Sequence, residues 1–379
     1  MHEQTALRML NQVMGWSLER SQEEFQWLRL ISAVKYDSYR DFLAGMRFLE
    51  SLVGWLLQFD PSDREVAYDF VRRRLTFISA VERERLVDNM YPRIVLPRIL
   101  QDVADDHHIA PWQVYTSDKA RHDLEVARRR TLFLGLSDGA RLDSFRHANV
   151  GRISNEQVVV GTQLDQEKWG DLIKDLKKDL GKLDSTKPST FDTIYLVDDF
   201  AGSGTSFLRT ETSDQGKTEW KGKLLRFLRS LNSAGPERVH SDDWKLVVHH
   251  LIMTHKAVEH LEKAIAQVRG DLKDEYPWFA KFEVTCSYLF PTEFPLDAKT
   301  EAEFHRLTKK YYDPGIETDA TKKGGVDHLG MGYAACALPL VLDHNTPNNT
   351  VALLWAESTA KKRKGHHMRP LFRRRQRHS

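Results

Sequence analysis

The chain has 379 residues, with 56 Lys and Arg against 54 Asp and Glu, a formal net charge of +2, 41% hydrophobic residues and 29% charged ones. At roughly 100–200 residues per domain, this length holds one large domain with an appendage, or two domains; the apolar and aromatic content excludes a fully disordered chain. Two cysteines, Cys286 and Cys336, exclude a disulfide framework and an all-cysteine zinc site, and the near-neutral total gives no global reason to expect nucleic acid or membrane as partner.

The N-terminus lacks the charged start, long apolar core and small-residue cleavage site of a signal peptide. Apolar runs such as Ala334–Leu342 fall far short of the ~20 residues that span a bilayer, so a soluble, cytoplasmic protein is expected. Residues 1–100 read as an all-helical domain. In Phe42–Leu57 the apolar residues Leu43, Met46, Leu49, Val53 and Leu56 recur at helical spacing; Asp60-Pro61-Ser62 breaks the chain and starts a second amphipathic run over Glu65–Ile78. A third leads into Met90, and Pro92 and Pro97 punctuate the stretch up to residue 100. Such a domain suits a winged-helix-like module, a partner-docking surface or a dimerisation element.

After about residue 130 short β-type runs alternate with helical stretches. Thr131–Leu136, Gln157–Val160, Thr193–Val197, Leu246–Met253, Phe282–Leu289 and Val351–Trp355 are strand candidates, with Trp169–Leu180 and Lys256–Val268 as helices between them. The pattern predicts an α/β fold, a mostly parallel sheet with helices on both faces, over residues 101–357. Residues 358–379 form a basic tail. Its run Lys361 to Lys364, Arg369, Arg373 to Arg375 and Arg377 has no acidic residue after Glu357, and it reads first as a solvated, disordered segment. Two other readings stay open: a grip on nucleic-acid phosphates, or docking of Met368–Phe372 onto the body.

The most informative stretch is Ile194–Arg209, where an apolar strand ends in Asp198 and Asp199 and runs into Phe200-Ala201-Gly202-Ser203-Gly204-Thr205-Ser206. Ligands of an open α/β sheet bind beyond the carboxyl ends of its strands. Backbone amides of a small-residue loop, with the hydroxyls of Ser203, Thr205 and Ser206, suit a phosphate, the more so where the loop opens a helix, as expected here. Two carboxylates beside that site repel a bare anion but accept hydrogen bonds from sugar hydroxyls. A 5′-phosphorylated ribose satisfies both ends.

This segment resembles the signature of the type I phosphoribosyltransferases at every defining position: two acids, two variable residues, a small residue, then Ser/Thr-Gly-x-Ser/Thr. The resemblance implies that Asp198 and Asp199 contact the ribose 2- and 3-hydroxyls of phosphoribosyl pyrophosphate, and that Gly202, Ser203, Gly204, Thr205 and Ser206 hold its 5-phosphate. It implies a pyrophosphate loop at Ser137, Asp138, Gly139, Ala140 and Arg141, with Arg141 forking onto a phosphate, although an ordinary Asp-Gly turn reads equally well there. A flexible flap would lie in Gln163–Pro188. Mg²⁺ is the implied cofactor, bound mainly through the substrate, with Asp198 the one protein ligand considered, and a homodimer is the common state. The reaction implied is transfer of the phosphoribosyl group to a nitrogen acceptor with release of pyrophosphate.

Near the end, Asp343–Thr350 gathers His344, Asn345, Asn348 and Asn349 between apolar runs, read either as base contacts or as a locally bonded turn. With residues 286–294 it is the candidate acceptor-recognition segment. Gly332–Trp355 looks like that of bacterial phosphoribosyltransferase-like proteins of defence or conflict gene clusters.

Two alternatives of other classes remain. One is a non-catalytic nucleotide sensor using the same loop. The other is an S-adenosylmethionine-dependent nucleic-acid methyltransferase, whose Asp-Pro-Phe-x-Gly-Ser-Gly-Thr loop differs from Asp198–Thr205 mainly at Asp199; the Pro-Pro dipeptide of its amine-binding site is missing. The loop is no Walker A motif, since no Gly-Lys-Ser/Thr follows. The pairs His107-His108, His249-His250 and His366-His367 carry no metal-site spacing, and neighbours on a strand point to opposite faces.

Overall fold

The computed structural model describes residues 3–40, 42, 47–161, 164–212, 216–235, 239–276, 281–359 and 361–374. Nine strands lie among them: β1 Thr76–Ile78, β2 Thr131–Gly135, β3 Val158–Val159, β4 Phe191–Ala201, β5 Arg209–Thr212, β6 Thr218–Lys221, β7 His240–Met253, β8 Lys281–Leu289 and β9 Leu340–Leu342. The helices are α1 Glu3–Met14, α2 Leu18–Val34, α3 Phe48–Leu56, α4 Arg64–Arg73, α5 Ala80–Met90, α6 Leu96–His107, α7 Asp118–Arg129, α8 Leu142–Ala148, α9 Gln166–Leu183, α10 Lys223–Ser233, α11 His255–Asp271, α12 Ala302–Lys310, α13 Asp319–Lys322 and α14 Ala352–Trp355. No helix among the described residues is long and apolar enough to cross a membrane.

Contacts divide the chain into two units, Met1–Arg83 with Pro291–Ser379, and Glu84–Phe290. The domain boundaries expected from the sequence, at 100 and 357, describe a different division of the chain. Pro92 sits in a wider i→i+5 turn over Tyr91–Val95 and Pro97 in the first turn of α6, where a missing amide costs little, so helix continues past residue 100.

The first unit is built from its two chain ends. Trp55 Nε1 donates to Leu353 O at 2.7 Å and Ser51 Oγ to Leu371 O at 2.6 Å, while the Phe372 ring stacks on Phe48 at 5.7 Å and lies edge-on to Tyr39 at 5.2 Å. β1 pairs in parallel with β9, Phe77 opposite Val341. Three expectations are corrected here. The second amphipathic run stops at Arg73, because Thr76-Phe77-Ile78 is a β-branched and aromatic triplet taken by β9. Val351–Trp355 is no strand: residues 352–355 form one buried helical turn, and an unbroken apolar run cannot be told from a strand by periodicity. Leu43 and Met46, placed by spacing in the first turn of α3, lie outside the described residues.

The third correction concerns the tail, which is not a solvated segment over 361–374. Met368, Leu371 and Phe372 are buried in the first unit's core, and Leu371 N and Phe372 N donate to Leu354 O at 3.0 and 2.9 Å. The buried Asp313 carboxylate anchors it, accepting from Ser358 Oγ at 2.5 Å and from the amides of Gly315, Lys364 and Gly365 at 2.9, 2.8 and 3.0 Å. Burial works to raise its pKa; these donors outweigh that and hold it below the usual carboxylate range. Charge on a tail predicts solvation only where no carboxylate gathers its backbone. Arg375 and Arg377 lie outside the described residues.

The second unit is α/β. Its five-stranded sheet has the order β3-β2-β4-β7-β8 with every pairing parallel. Leu132 and Leu134, Ile194 and Leu196, and Leu246 and Val248 share one face with the buried residues of α9, α10 and α11. On the other face Phe133 packs against Phe145 of α8 at 4.8 Å and Tyr195 at 5.2 Å. α9 buries Trp169, Leu172, Leu176 and Leu180 at helical spacing, each such side chain worth roughly 1.5–3 kcal/mol. The interval expected to hold a flexible flap is therefore largely a packed helix. From β2 the chain first passes to β3, then returns across to β4 on the other side. Strand order reverses at β2 and β4, and the crevice beyond their carboxyl ends is where such sheets bind ligands.

Candidate functional site

Both loops singled out by sequence open from that crevice. β4 carries the two acids at its end, and the strand's alternation separates them. Asp198, in register with His250 of β7, points to the α10 side and is 2% exposed. One of its oxygens accepts from Ser137 Oγ at 2.5 Å and the other pairs with the Lys223 ammonium. Asp199 is half-buried and lies on the side of the 138–140 turn, with Oδ1 accepting from Phe200 N at 2.9 Å. A methyl group at Gly139 would collide with the Asp199 carboxylate, so that glycine admits the close approach.

The segment after the acids turns tightly instead of entering a helix. Gly204, at φ +74°, sends its carbonyl back to Phe207 N and Leu208 N at 3.0 and 3.2 Å, and only a residue tolerant of that φ fits against His260, Leu261 and Ala257. Gly202, Ser203 and Gly204 are buried, Thr205 is half-buried and Ser206 exposed. Ser203 and Thr205 share a hydroxyl hydrogen bond of 2.9 Å, and Thr254 Oγ1 donates to Gly202 O at 2.6 Å.

The expectation that this loop opens a helix directly is corrected by an inserted hairpin. β5 and β6 pair antiparallel, Arg209 opposite Lys221, before α10 begins. Across the insertion, Lys223 N donates to Ser206 O at 3.3 Å and Leu224 N to Phe207 O at 3.1 Å. Gly222 makes this possible, since a side chain there would strike the Phe207 carbonyl. The loop is thus joined to a helix start by hydrogen bonds where the covalent chain departs. The same junction delivers Lys223, the first residue of α10, to Asp198.

The second loop follows β2. Leu136 N extends the ladder to Val197 O at 2.8 Å, and Ser137 starts a single turn closed by Ala140 N to Ser137 O at 3.1 Å. Asp138 is exposed and Ala140 buried. Arg141 adopts φ +52°, uncommon for a residue with a side chain and frequent where function holds the backbone. Its guanidinium reaches Glu84 at 3.2 Å in a partly exposed pair.

Behind the rim, His249 and His250 fall on opposite faces of β7. His249 bonds Thr285 Oγ1 and Ser287 Oγ, each at 3.0 Å, and burial, with the His250 and Arg98 charges, pushes its pKa down to about 3. His250 sits edge-on to Phe207 at 6.0 Å; among the described residues its buried Nδ1 has no hydrogen-bond partner, and burial takes it down to about 4 against the pull of Asp198. Among the described residues no group of three or more His, Cys, Asp or Glu could hold a metal ion.

His344, Asn345, Asn348 and Asn349 belong to the first unit. His344 Nδ1 lies 3.3 Å from Asp343, which pairs with the buried Arg83 at 3.0 Å. Asn345 and Leu342 exchange backbone bonds, Asn348 O accepts from Tyr333 N at 2.7 Å, and Asn349 Nδ2 reaches Tyr333 O and Cys336 Sγ at 3.2 Å. Residues 286–294 run across the division at Phe290.

Sequence reasoning missed Lys223, Thr254 and His250 as neighbours of the acid loop. His250 carried a signal, one residue of a pair on a predicted strand; Lys223 carried none, because the whole hairpin separates it from the turn that seats it.

No curated protein and no solved structure matches the chain. The family model PRTase-CE matches residues 52–374, which takes in both loops and most of the chain's length. The chain belongs to the PRTase-CE family, a family of phosphoribosyltransferase type.

Proposed function

We propose that this protein binds phosphoribosyl pyrophosphate, or a related 5-phosphoribosyl nucleotide, at the rim between β2 and β4 and transfers its phosphoribosyl group to a nitrogen acceptor. The observation that carries this reading is the meeting of the two loops on the paired acids: the 138–140 turn against Asp199, Ser137 on Asp198, and the Gly202–Ser206 bend beyond. Asp199 would take the ribose hydroxyls. The bend's amides with the Ser203, Thr205 and Ser206 hydroxyls would take the 5-phosphate. Arg141 would turn from Glu84, a partly exposed pair worth about 0–1 kcal/mol, toward the pyrophosphate.

In the reaction, the acceptor nitrogen's electron pair forms the bond to C1 as the C1–O bond breaks; pyrophosphate leaves with that electron pair, and the nitrogen sheds its proton to solvent. The transition state is oxocarbenium-like, so positioning and stabilisation of the departing anion carry the rate, and no side chain acts as a nucleophile. The cofactor implied by resemblance, Mg²⁺, finds no fitting protein ligand in Asp198, whose two oxygens are engaged by Ser137 and Lys223. Any ion would be carried by the substrate's own oxygens.

Calorimetric titration with phosphoribosyl pyrophosphate tests the binding. Asp199→Asn is expected to weaken it about ten-fold or more, the value of a hydrogen bond to a charged group; no heat from the unaltered chain, or unchanged heat from the variant, counts against the reading. Pyrophosphate release over a panel of nitrogen acceptors tests the transfer. The closed Asp198–Lys223 pair favours a second reading, a nucleotide sensor, which binding without release would support. A role in bacterial defence follows from the resemblance and is tested by neighbouring genes; a salvage neighbourhood speaks against it.

A further inference from the structure

Asp198 is the acid that a divalent cation would be expected to approach, yet the chain has brought a cation of its own to it. The Asp198 side chain is 3% exposed and that of Lys223 14%, and Lys223 has no other side-chain partner among the described residues. Mg²⁺ binds with near-octahedral geometry and keeps several waters, which demands an open carboxylate oxygen and room around it. A buried carboxylate with both oxygens taken offers neither.

We propose that the Lys223 ammonium stands in for a metal ion on Asp198, so that the sugar-phosphate end of the ligand is held without a divalent cation at that acid. The inference rests on the phosphoribosyl reading of the site. An ammonium has three donors, and Asp198 takes one, leaving two for ligand oxygens. The Lys223 backbone is bonded to Ser206 O, in the bend assigned to the 5-phosphate, so ammonium and phosphate cradle move as one piece. Gly222, packed on the Phe207 carbonyl, fixes that junction. His250, opposite Asp198 in the ladder, is buried beside the pair and neutral near pH 7, so it adds no competing charge.

The test is calorimetric titration of the full chain with ribose 5-phosphate, which lacks the pyrophosphate that would carry its own metal, and in parallel with phosphoribosyl pyrophosphate. Each is run in EDTA and in excess Mg²⁺. For ribose 5-phosphate, the unaltered chain is expected to change affinity less than about three-fold between the two conditions. Lys223→Met should bind about ten-fold or more weakly in EDTA and recover most of that with Mg²⁺, whereas Lys223→Arg should stay indifferent to the metal. An unaltered chain that needs Mg²⁺ as steeply as Lys223→Met overturns the proposal, as does a Lys223→Met that binds normally in EDTA. Should Lys223→Met unfold, Asp198→Asn/Lys223→Met removes both charges: weak binding that Mg²⁺ fails to restore supports the proposal, and restoration overturns it. If neither titrant binds the unaltered chain under any condition, the phosphoribosyl reading itself falls.

Discussion

Each unit contains a buried aspartate at the centre of a hydrogen-bond cluster, and the two clusters are built from different materials. Asp313 of the first unit is held by three backbone amides and one hydroxyl, all on segments that cannot turn away without unfolding locally. Asp198 of the second unit is held by a serine hydroxyl and a lysine ammonium, whose side chains can rotate while the backbone stays put. A carboxylate fastened to amides is a rivet. One fastened to side chains keeps its partners while their remaining donors can turn toward a ligand with the backbone fixed, as the proposed phosphoribosyl site would require.

The largest expected effect is on the rivet. Asp313→Ala leaves buried donors unmet and should cost on the order of 3–5 kcal/mol in urea denaturation, with loss of hydrogen-exchange protection over 361–372; a loss under about 1 kcal/mol would show that the amides find water instead.

Acid should separate the units next. His249 and His250 have folded-state pKa values of about 3 and about 4, below their ordinary 6.5. As pH falls through 6.5 the unfolded chain takes up protons that the folded chain refuses, so stability drops by up to about 1.4 kcal/mol per histidine per pH unit until the folded values are reached. His328 and His366 of the first unit are displaced the same way, by burial, but less. Asp313, lowered, contributes stability above its unfolded value and loses it only as pH falls through its folded one, at more acid pH. Hydrogen exchange between pH 6.5 and 4.5 should therefore open the second unit first. Equal opening of both would remove the histidines from the account.

A smaller effect falls on the bend. Gly204→Ala places a side chain at φ +74° against His260 and Leu261, which should cost about 1–2 kcal/mol in thermal unfolding. Smallest is Asp198→Asn, expected to lose only about 1 kcal/mol because Lys223 can swing its ammonium to water. A cost near that of Asp313→Ala would erase the distinction between the two clusters.

What could be read from the residues in advance was local. An apolar strand, two acids and a small-residue bend are contiguous, and so are the strand-helix alternations that build the parallel sheet. Two of the misses share a physical cause, partners far along the chain. Nothing near Thr76-Phe77-Ile78 announces that Leu340–Leu342 will pair with it, and nothing near Lys364 announces Asp313. The hairpin was hidden for another reason: Arg209-Thr210-Glu211-Thr212 and Thr218-Glu219-Trp220-Lys221 are largely polar, without the alternation that marks a half-buried strand.

The hairpin leaves and rejoins the molecule at almost one point, since Ser206 and Lys223 touch through their backbones. Trp220 holds it a second time, its Nε1 donating to Asp271 Oδ2 at 2.9 Å and its ring packing on the second unit's core, so only the turn end beyond Trp220 can change length while the bend and the helix stay spliced. That makes the turn end of the hairpin, away from Arg209 and Trp220, a natural place to carry a reporter group.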